Sequence, residues 1–358
     1  LAPPAATGRA MALVGTASAV GTALGPTLGG ALLQLTGWRE ILLASAPLAL
    51  ATGVAVTRLV PADRARPIAA RRIDLAATAV LAATVTAYAL AMTFARAAAR
   101  AVPVLLLGAA VLGVLAFVRL ERRATAPLLP PALFADRARA AGLALHAVAS
   151  AAIMTALVVG PYYLSRALAL PPAAVGVVLS TSSVVTALTG PPAGRLVDRR
   201  LAALTRPPRA TAAALARRGL LGMAIACALL AVLPSTFGVL AYLAPLSLFT
   251  AHYALFQAAN TTAALHAVSS DDRGVVAAAL GLARNLGLTT GTCVLGAVFL
   301  SASGASDLAH ATPAELTRGL HGAFAVTAAA LTAAVVLTRV PSRSLPPVAP
   351  SLDPQDLS

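Results

Sequence analysis

Five polar residues interrupt long apolar stretches of this sequence and are its first candidates for chemistry: His146, His252, Gln257, Asn260 and Arg284. The two histidines could titrate near neutral pH and relay protons. Gln257 and Asn260 share an apolar stretch with His252 and offer uncharged donors and acceptors that could line the path of a substrate. A structural role is the alternative, because interior histidines and amides also hydrogen-bond neighbouring helices. The residue pattern leaves both interpretations open.

Arg284 is the one charge near the middle of an apolar stretch. It stands about three residues from the centre of the stretch 275–300, which is roughly 5 Å along a helix. A charge there costs at least about 2.5 to 3.5 kcal/mol on membrane-insertion scales, so we expect it to face a bundle interior or a watery cavity and to be paired. It is either a gating or substrate-path residue, or a structural arginine that reaches the interface or bonds helix carbonyls.

The sequence lacks the common signatures of an enzyme. It has no Gly-x-Ser-x-Gly elbow, no His-Glu-x-x-His pair and no Walker-type phosphate loop, which also argues against a nucleotide-driven pump. Cys227 and Cys293 lie in apolar stretches and are read as small hydrophobes, not as a disulfide or a zinc site. No acidic residue stands at mid-depth in an apolar stretch; Asp74 and Asp198 lie at the ends. We therefore predict no enzymatic activity, no cofactor and no metal.

Composition places these residues in a membrane. Of 358 residues 59% are hydrophobic and only 11% are charged, with a mean hydropathy of +0.84, whereas soluble domains carry about 25% charged residues. The apolar stretches are continuous, which predicts helices and an all-α polytopic membrane protein. The net charge of +15 could indicate nucleic acid, but aromatic residues make up only 4% and the positive residues, all arginine, fall between apolar stretches. No nucleic-acid partner is predicted.

Hydropathy predicts ten spans, and the arginines predict their orientation. The spans are 11–36, 41–58, 74–94, 102–118, 142–164, 173–193, 219–233, 237–263, 275–300 and 320–338. When alternate connections are grouped, 21 of the 27 arginines fall on one side and five on the other, with Arg284 inside a span. Short cytoplasmic loops collect arginine, so both termini are expected in the cytoplasm of a multi-pass bacterial inner-membrane protein.

The first span carries a glycine motif with a specific spacing. Its residues Gly21, Gly25, Pro26, Gly29 and Gly30 are followed by Gly37-Trp38-Arg39-Glu40. Small residues four apart let a neighbouring helix approach closely, and Pro26 bends the helix. The motif resembles the antiporter motif in the fifth span of major facilitator superfamily drug exporters.

The resemblance continues along nearly the whole chain and points to the fourteen-span drug:proton antiporter branch. The stretches that carry it are Thr7–Ala10, Asp74–Ala77, Pro161–Leu164, Ala174–Gly176, Gly190–Arg200, Arg273-Gly274 and Arg284–Gly287. In this alignment the ten spans match family spans five to fourteen, so the resemblance implies a major facilitator fold that lacks its first four spans. A carboxylate for proton coupling would then lie in the missing segment.

The same alignment implies a domain organisation. Residues 1–60 would be the remainder of the amino-terminal bundle, 61–140 an extra central hairpin, 141–340 the carboxy-terminal six-helix bundle and 341–358 a cytoplasmic tail. Gly194, Arg195, Asp198 and Arg199 resemble the family's cytoplasmic Asp-Arg loop signature, which implies a conformational gate. A plain positive-inside anchor is the alternative, but it leaves Asp198 unexplained.

The sequence thus predicts a secondary active transporter. We expect proton-coupled export of drugs or secondary metabolites, with a small amphipathic substrate, protons and the lipid bilayer as partners, and a monomer in the full-length protein. Export of a native antibiotic or lipid, and a truncated remnant that does not transport, remain the alternatives.

Overall fold

A computed structural model describes most of the chain as helix. The described residues are 28–29, 32, 35–59, 74–94, 101–124, 127–129, 136–202, 208–233, 237–265, 268, 272–305, 308 and 310–337. Within them, nine helices are long and apolar enough to cross a membrane. They are α1 (Trp38–Leu59), α2 (Leu75–Phe94), α3 (Ala101–Arg123), α4 (Arg137–Tyr162), α5 (Pro172–Ala202), α6 (Pro208–Val232), α7 (Val239–Leu265), α8 (Arg273–Ser303) and α9 (Pro313–Leu337).

The prediction of an all-α membrane protein is confirmed, and each of the nine helices matches one predicted span. The remaining span, 11–36, lies mostly outside the described residues. Several helices are longer than their spans. α5 continues to Ala202 where the prediction ended at 193, and α6 begins at Pro208 where the prediction began at 219. Hydropathy locates the hydrocarbon boundary, whereas backbone hydrogen bonding continues into the aqueous side, so these helices extend beyond the predicted spans.

Local sequence signals explain two helix ends. The side chain of Asp136 accepts a hydrogen bond from the Ala138 amide at 3.0 Å and caps the start of α4. At α9, the Thr312 amide donates to Glu315 Oε2 at 2.7 Å and the Glu315 amide donates to Thr312 Oγ1 at 3.3 Å, which is a reciprocal capping box. These caps satisfy first-turn amides that have no partner within their own helix.

Helices α4–α9 pack into one bundle, and cross-helix contacts give their directions. α4 runs antiparallel to α7, because Gly142 meets Asn260 near one end while Ala156 accepts a hydrogen bond from the Tyr242 hydroxyl towards the other. α4 runs parallel to α8, where Ala147 and Ala151 oppose Gly287 and Gly291 in the same order. If consecutive spans alternate in direction, α4 must be antiparallel to α7 and parallel to α8, as these contacts show.

Glycines bring these helices into backbone contact. A Cβ on Gly287 would lie 2.2 Å from the Ala147 carbonyl oxygen, and one on Gly291 would lie 2.5 Å from that of Ala151. Between α6 and α7, a Cβ on Gly219 would lie 2.7 Å from the Phe256 backbone nitrogen. Close approach of small residues is a main source of packing energy in lipid, where burial of apolar surface gives little.

Helices α2 and α3 form a hairpin beside this bundle. Gly113 on α3 packs against Thr84 on α2, with no room for a side chain between them. The Tyr88 hydroxyl hydrogen-bonds the Thr290 hydroxyl of α8 and so joins the hairpin to the bundle.

α1 is packed differently from every other helix. None of its described side chains is buried, and large apolar residues such as Leu43 and Leu50 are 70% and 72% exposed. In a membrane, such a surface faces lipid or other helices.

The arginines of the bundle are sorted by side. Among the described residues of α4–α9, most arginines lie where α4, α6 and α8 begin and α5 ends: Arg137, Arg139, Arg195, Arg199, Arg200, Arg217, Arg218 and Arg273. We call this the arginine-rich side. Arg166 and Arg318 lie at the opposite side. The helix directions come from packing contacts and not from charge. The unequal distribution of arginine between the two sides is therefore independent support for spans that alternate in direction.

Candidate functional site

His146 and Asn260 form a buried contact between α4 and α7. Each is 4% exposed. The Asn260 amide nitrogen donates to the Gly142 carbonyl at 3.1 Å and lies 3.4 Å from His146 Nδ1, while the imidazole packs near the Phe256 ring with centroids 6.1 Å apart. A Cβ on Gly142 would sit 3.2 Å from Asn260 Oδ1, so the amide is held on both sides. This geometry favours the structural interpretation of both residues over a solvent-connected path.

His252 is also held by its neighbours. Its Nδ1 lies 2.9 Å from the Leu248 carbonyl of the same helix, and its ring lies against Gly222 of α6. A Cβ on Gly222 would lie 1.9 Å from the imidazole Cδ2 atom. The half-buried ring therefore fills the space that Gly222 leaves, and this geometry too fits a packing role.

Gln257 is the predicted path residue that keeps its polar groups available. It lies on α7 three residues before Asn260 and is half-buried. Its amide makes no hydrogen bond with any described residue. Of the four uncharged candidates, Gln257 has the geometry best suited to contact a solute.

Arg284 is exposed on α8, four residues before the middle of the helix and about 6 Å from it along the axis. The sequence predicts a paired arginine, yet the guanidinium makes no hydrogen bond or ion pair within the described part of the chain. Gly287, three residues later on α8, lies against Ala147 of α4, the neighbour of His146 in the chain. The structure therefore places Arg284 near the contact between α4 and α7 and supplies no counter-ion for it among the described residues.

The Asp-Arg signature is helical, not a loop. Gly194, Arg195, Asp198 and Arg199 all belong to the last turns of α5, which corrects the prediction of a loop there. Val197 faces the bundle and is 1% exposed, whereas Arg195, Asp198 and Arg199 are exposed. The three charged side chains make no hydrogen bond or ion pair with described residues. The predicted gate requires a group that pairs with these side chains, and no described residue provides one.

The antiporter motif lies almost entirely outside the described residues. Gly21, Gly25, Pro26 and Gly30 are not described, and Gly29 is helical with nothing within 4 Å of the position of a Cβ. Gly37, which follows the motif, has a φ of +128°, a conformation that only glycine adopts without strain.

Sequence reasoning missed Glu121, a buried carboxylate near the end of α3. It is 4% exposed and accepts hydrogen bonds from the Leu128 and Leu129 amides at 3.2 and 2.8 Å. Glu121 thus holds the start of the connection between the hairpin and the bundle. One acidic residue among arginines gives no local signal for this, because its partners lie seven and eight residues later.

The tyrosine that links the hairpin to the bundle was also missed. The alternation of small and apolar residues in α2 does not distinguish Tyr88 from an interfacial aromatic residue. The Thr312–Glu315 capping box was visible in the sequence as Thr-x-x-Glu before an apolar stretch.

The described residues hold no group of three or more His, Cys, Asp or Glu side chains that could bind a metal. Cys227 and Cys293 are not joined in a disulfide.

Comparison with known proteins agrees with this architecture. The sequence profile of the Major Facilitator Superfamily matches residues 1–292. The chain is 30% identical to the puromycin resistance protein pur8 of Streptomyces alboniger over 95% of its own length and 68% of that protein. It is 27% identical to the uncharacterized transporter YebQ of Escherichia coli, over 80% of the chain and 61% of that protein. It is also 27% identical to the multidrug resistance protein Stp of Mycobacterium tuberculosis, over 87% of the chain and 56% of that protein.

Proposed function

Because this chain belongs to the major facilitator superfamily, we propose that it is part of a proton-coupled exporter of drugs or secondary metabolites. The family and the names of its relatives indicate a transporter, not an enzyme. The observation that supports export of drugs or secondary metabolites is the match, over 95% of the chain, to a protein named for puromycin resistance. A protein named for multidrug resistance matches over 87% of it.

We propose further that this chain supplies spans five to fourteen of a fourteen-span transporter. The chain spans 56 to 68% of the lengths of the three relatives described above, and none of the described side chains of α1 is buried. Both observations fit an amino-terminal bundle of which only the last two spans are present. Transporters of this kind bind substrate between two pseudo-symmetric halves and rock one half against the other.

The proposed location is the bacterial inner membrane, with the arginine-rich side in the cytoplasm. Arginine collects in short cytoplasmic loops because its translocation is unfavourable. In this orientation Asp198 and Arg199 lie at the cytoplasmic end of α5, where a helix of the other half could pair with them in one conformation and release them in the next. We propose that this alternate pairing and release is the role of the Asp-Arg signature.

Dye efflux tests the transport proposal. Bacterial cells would express either this chain or a chain extended at its amino end by the part of pur8 that precedes its match to this chain, and the loss of preloaded ethidium would be followed by fluorescence. We expect the extended chain to lower dye retention and an uncoupler to abolish the effect. Expression of each protein in the membrane fraction, measured by immunoblot, is the control.

The two alternatives give different outcomes. A remnant that does not transport predicts no efflux from either chain, although both are present in the membrane. An exporter of a native antibiotic or lipid predicts no dye efflux but a raised resistance to, or release of, that compound. Efflux that continues in the presence of uncoupler would contradict proton coupling.

A further inference from the structure

We propose that the exposed surface of α6 binds an acidic membrane phospholipid and that Arg217 and Arg218 hold the phosphate of its headgroup. The inference concerns a lipid and not an exported molecule, so it does not depend on the proposed function. It needs only the membrane class of the protein and the packing of α6. The observation behind it is an adjacent pair of exposed arginines within a helix face that otherwise carries large exposed aliphatic residues.

The exposed surface of α6 has the composition of a lipid-facing one. Ile225, Leu229 and Val232 are 56%, 37% and 71% exposed. They follow Arg218 by 7, 11 and 14 residues, which places all four on one face of the helix. Contacts between membrane helices favour small residues that let backbones approach, whereas large aliphatic side chains suit lipid tails. We call these four residues, together with Arg217, the lipid-facing surface of α6.

The packed surfaces of α6 are different ones. Gly219 lies against Phe256 of α7, and α9 reaches the end of α6, where His321 Nε2 lies 3.2 Å from the Leu233 carbonyl oxygen. The hairpin joins the bundle through α8, which packs against α4 and α9. The lipid-facing surface therefore lies outside the contacts that hold the described helices together, and the hairpin is attached at a helix other than α6.

The arginine pair lies at a depth that hydrocarbon occupies. Arg218 is 14 residues before the end of α6 at Val232, which is about 21 Å along the axis, and the hydrocarbon core is about 30 Å thick. Both arginines also fall inside the segment Ala210–Val232, which is long and apolar enough to cross a membrane. A charge at this depth is unfavourable unless headgroups or water reach it.

The direction of α6 lets both side chains reach the headgroups. In a helix the Cα–Cβ bonds tilt towards the N-terminus, and α6 begins at the arginine-rich side. Arg217 and Arg218 therefore extend towards that side of the membrane and away from its centre, with their alkyl parts along the apolar surface. Their guanidinium groups meet the headgroups at the edge of the hydrocarbon.

The charges and the apolar residues together define the ligand. A guanidinium presents a planar fork of donors that matches the oxygens of a phosphate. Two adjacent positive charges repel the ammonium group of a zwitterionic headgroup, whereas an acidic headgroup presents the phosphate alone. The acyl chains of the same lipid would lie along Ile225 and Leu229. A phospholipid with a net negative headgroup satisfies both parts of the surface.

Lipid titration of the purified chain tests the inference. The 358-residue chain in a non-ionic detergent would be titrated with dioleoylphosphatidylglycerol, an acidic lipid, or with dioleoylphosphatidylcholine, a zwitterionic one, and bound lipid would be counted by native mass spectrometry. We expect the unaltered chain to bind the acidic lipid more tightly. Arg217→Gln combined with Arg218→Gln should weaken this binding by about ten- to thirtyfold, as expected for the loss of two arginines near a membrane surface. The double variant should then bind the two lipids about equally.

An arginine pair outside the hydrocarbon is the matched control. Arg199 and Arg200 are adjacent and exposed near the end of α5. Arg199 is 27 residues after the start of α5 at Pro172, about 40 Å along the axis, and so lies about 10 Å beyond a hydrocarbon core of about 30 Å. Arg199→Gln combined with Arg200→Gln removes the same charge and should change the affinity for the acidic lipid by less than about twofold, because attraction to a headgroup falls with distance.

Competition on the unaltered chain distinguishes a lipid from a free phosphate compound. Glycerophosphoglycerol is the soluble headgroup without acyl chains. At a concentration equal to that of the acidic lipid it should leave lipid binding unchanged, because it lacks the chains that contact the apolar part of the surface. This measurement does not depend on the folding of any variant.

Four results would each overturn the inference. The first is equal binding of the two lipids by the unaltered chain, and the second is an effect of the Arg217 and Arg218 variant no larger than that of the control pair. The third is displacement of the lipid by the soluble headgroup, which would indicate a phosphate site. The fourth is a lower melting temperature of the Arg217 and Arg218 variant in lipid-free detergent, because the arginines would then pair within the protein. Since no transport is measured, dye efflux can succeed while lipid binding fails, and the reverse.

Discussion

His146 and Asn260 hold α4 and α7 together, whereas Gln257, on the same helix as Asn260, has no hydrogen-bond partner among the described residues. The three residues were equivalent candidates from the sequence, since each is a polar residue in an apolar stretch. Contacts across helices separate them into two that support the bundle and one that is available to a solute.

Truncation of the two amides should therefore have different effects on stability. Asn260→Ala removes the donor to the Gly142 carbonyl, and we expect a loss of about 0.6 to 1.7 kcal/mol in the free energy of unfolding, as for other hydrogen bonds between membrane helices. Gln257→Ala should change it little. Unfolding of the purified protein in bicelles by titration with sodium dodecyl sulfate gives both values. Equal losses would contradict the distinction.

The helix pair α4 and α8 depends on glycine at two successive positions. Gly287 and Gly291 bring the α8 backbone against the α4 carbonyls, and this contact sets the position of Arg284. A spacing of four between glycines was visible in the sequence, but it did not show which helix they meet. Small residues recur in several stretches of this alanine-rich chain, so the partner is decided by three-dimensional packing.

Gly287→Ala should destabilise the protein by about 1 to 3 kcal/mol, because the new methyl group would lie 2.2 Å from the Ala147 carbonyl oxygen and the helices must separate. Gly281→Ala on the same helix is the matched control, since nothing lies within 4 Å of its Cβ position. We expect that variant to be neutral or slightly stabilised, because alanine favours helix. Thermal unfolding in detergent compares the two, and a neutral Gly287→Ala would contradict the described contact.

Within the part of the chain that the structure describes, hydropathy and packing agree on the existence of nine helices and differ on where several of them end. The resemblance to the family signature placed residues Gly194 to Arg199 in a loop after the predicted span 173–193. In the structure they extend α5 beyond the predicted span. A helix in water at its end remains hydrogen-bonded, and hydropathy does not detect that.

Alternating helix direction and arginine bias make one prediction for the whole molecule. Ala202 ends α5 at the arginine-rich side, and Ala314 lies in the first turn of α9 at the opposite side; both are exposed. In a background with both native cysteines replaced by alanine, we expect a membrane-impermeant maleimide to label Ala314→Cys in intact cells. It should label Ala202→Cys only after the cells are permeabilised. The reverse pattern would contradict the proposed orientation.

The sequence by itself determined the membrane class, the approximate place of nine helices and the bias of arginine between their ends. These properties depend on each segment's own free energy of transfer into a bilayer, which is read from neighbouring residues. Only the tertiary structure decided that Asn260 binds the α4 backbone, that Glu121 holds a connection and that Arg284 has no described counter-ion. Those outcomes depend on which helix faces meet and at what depth, and residues more than a hundred positions apart then become partners.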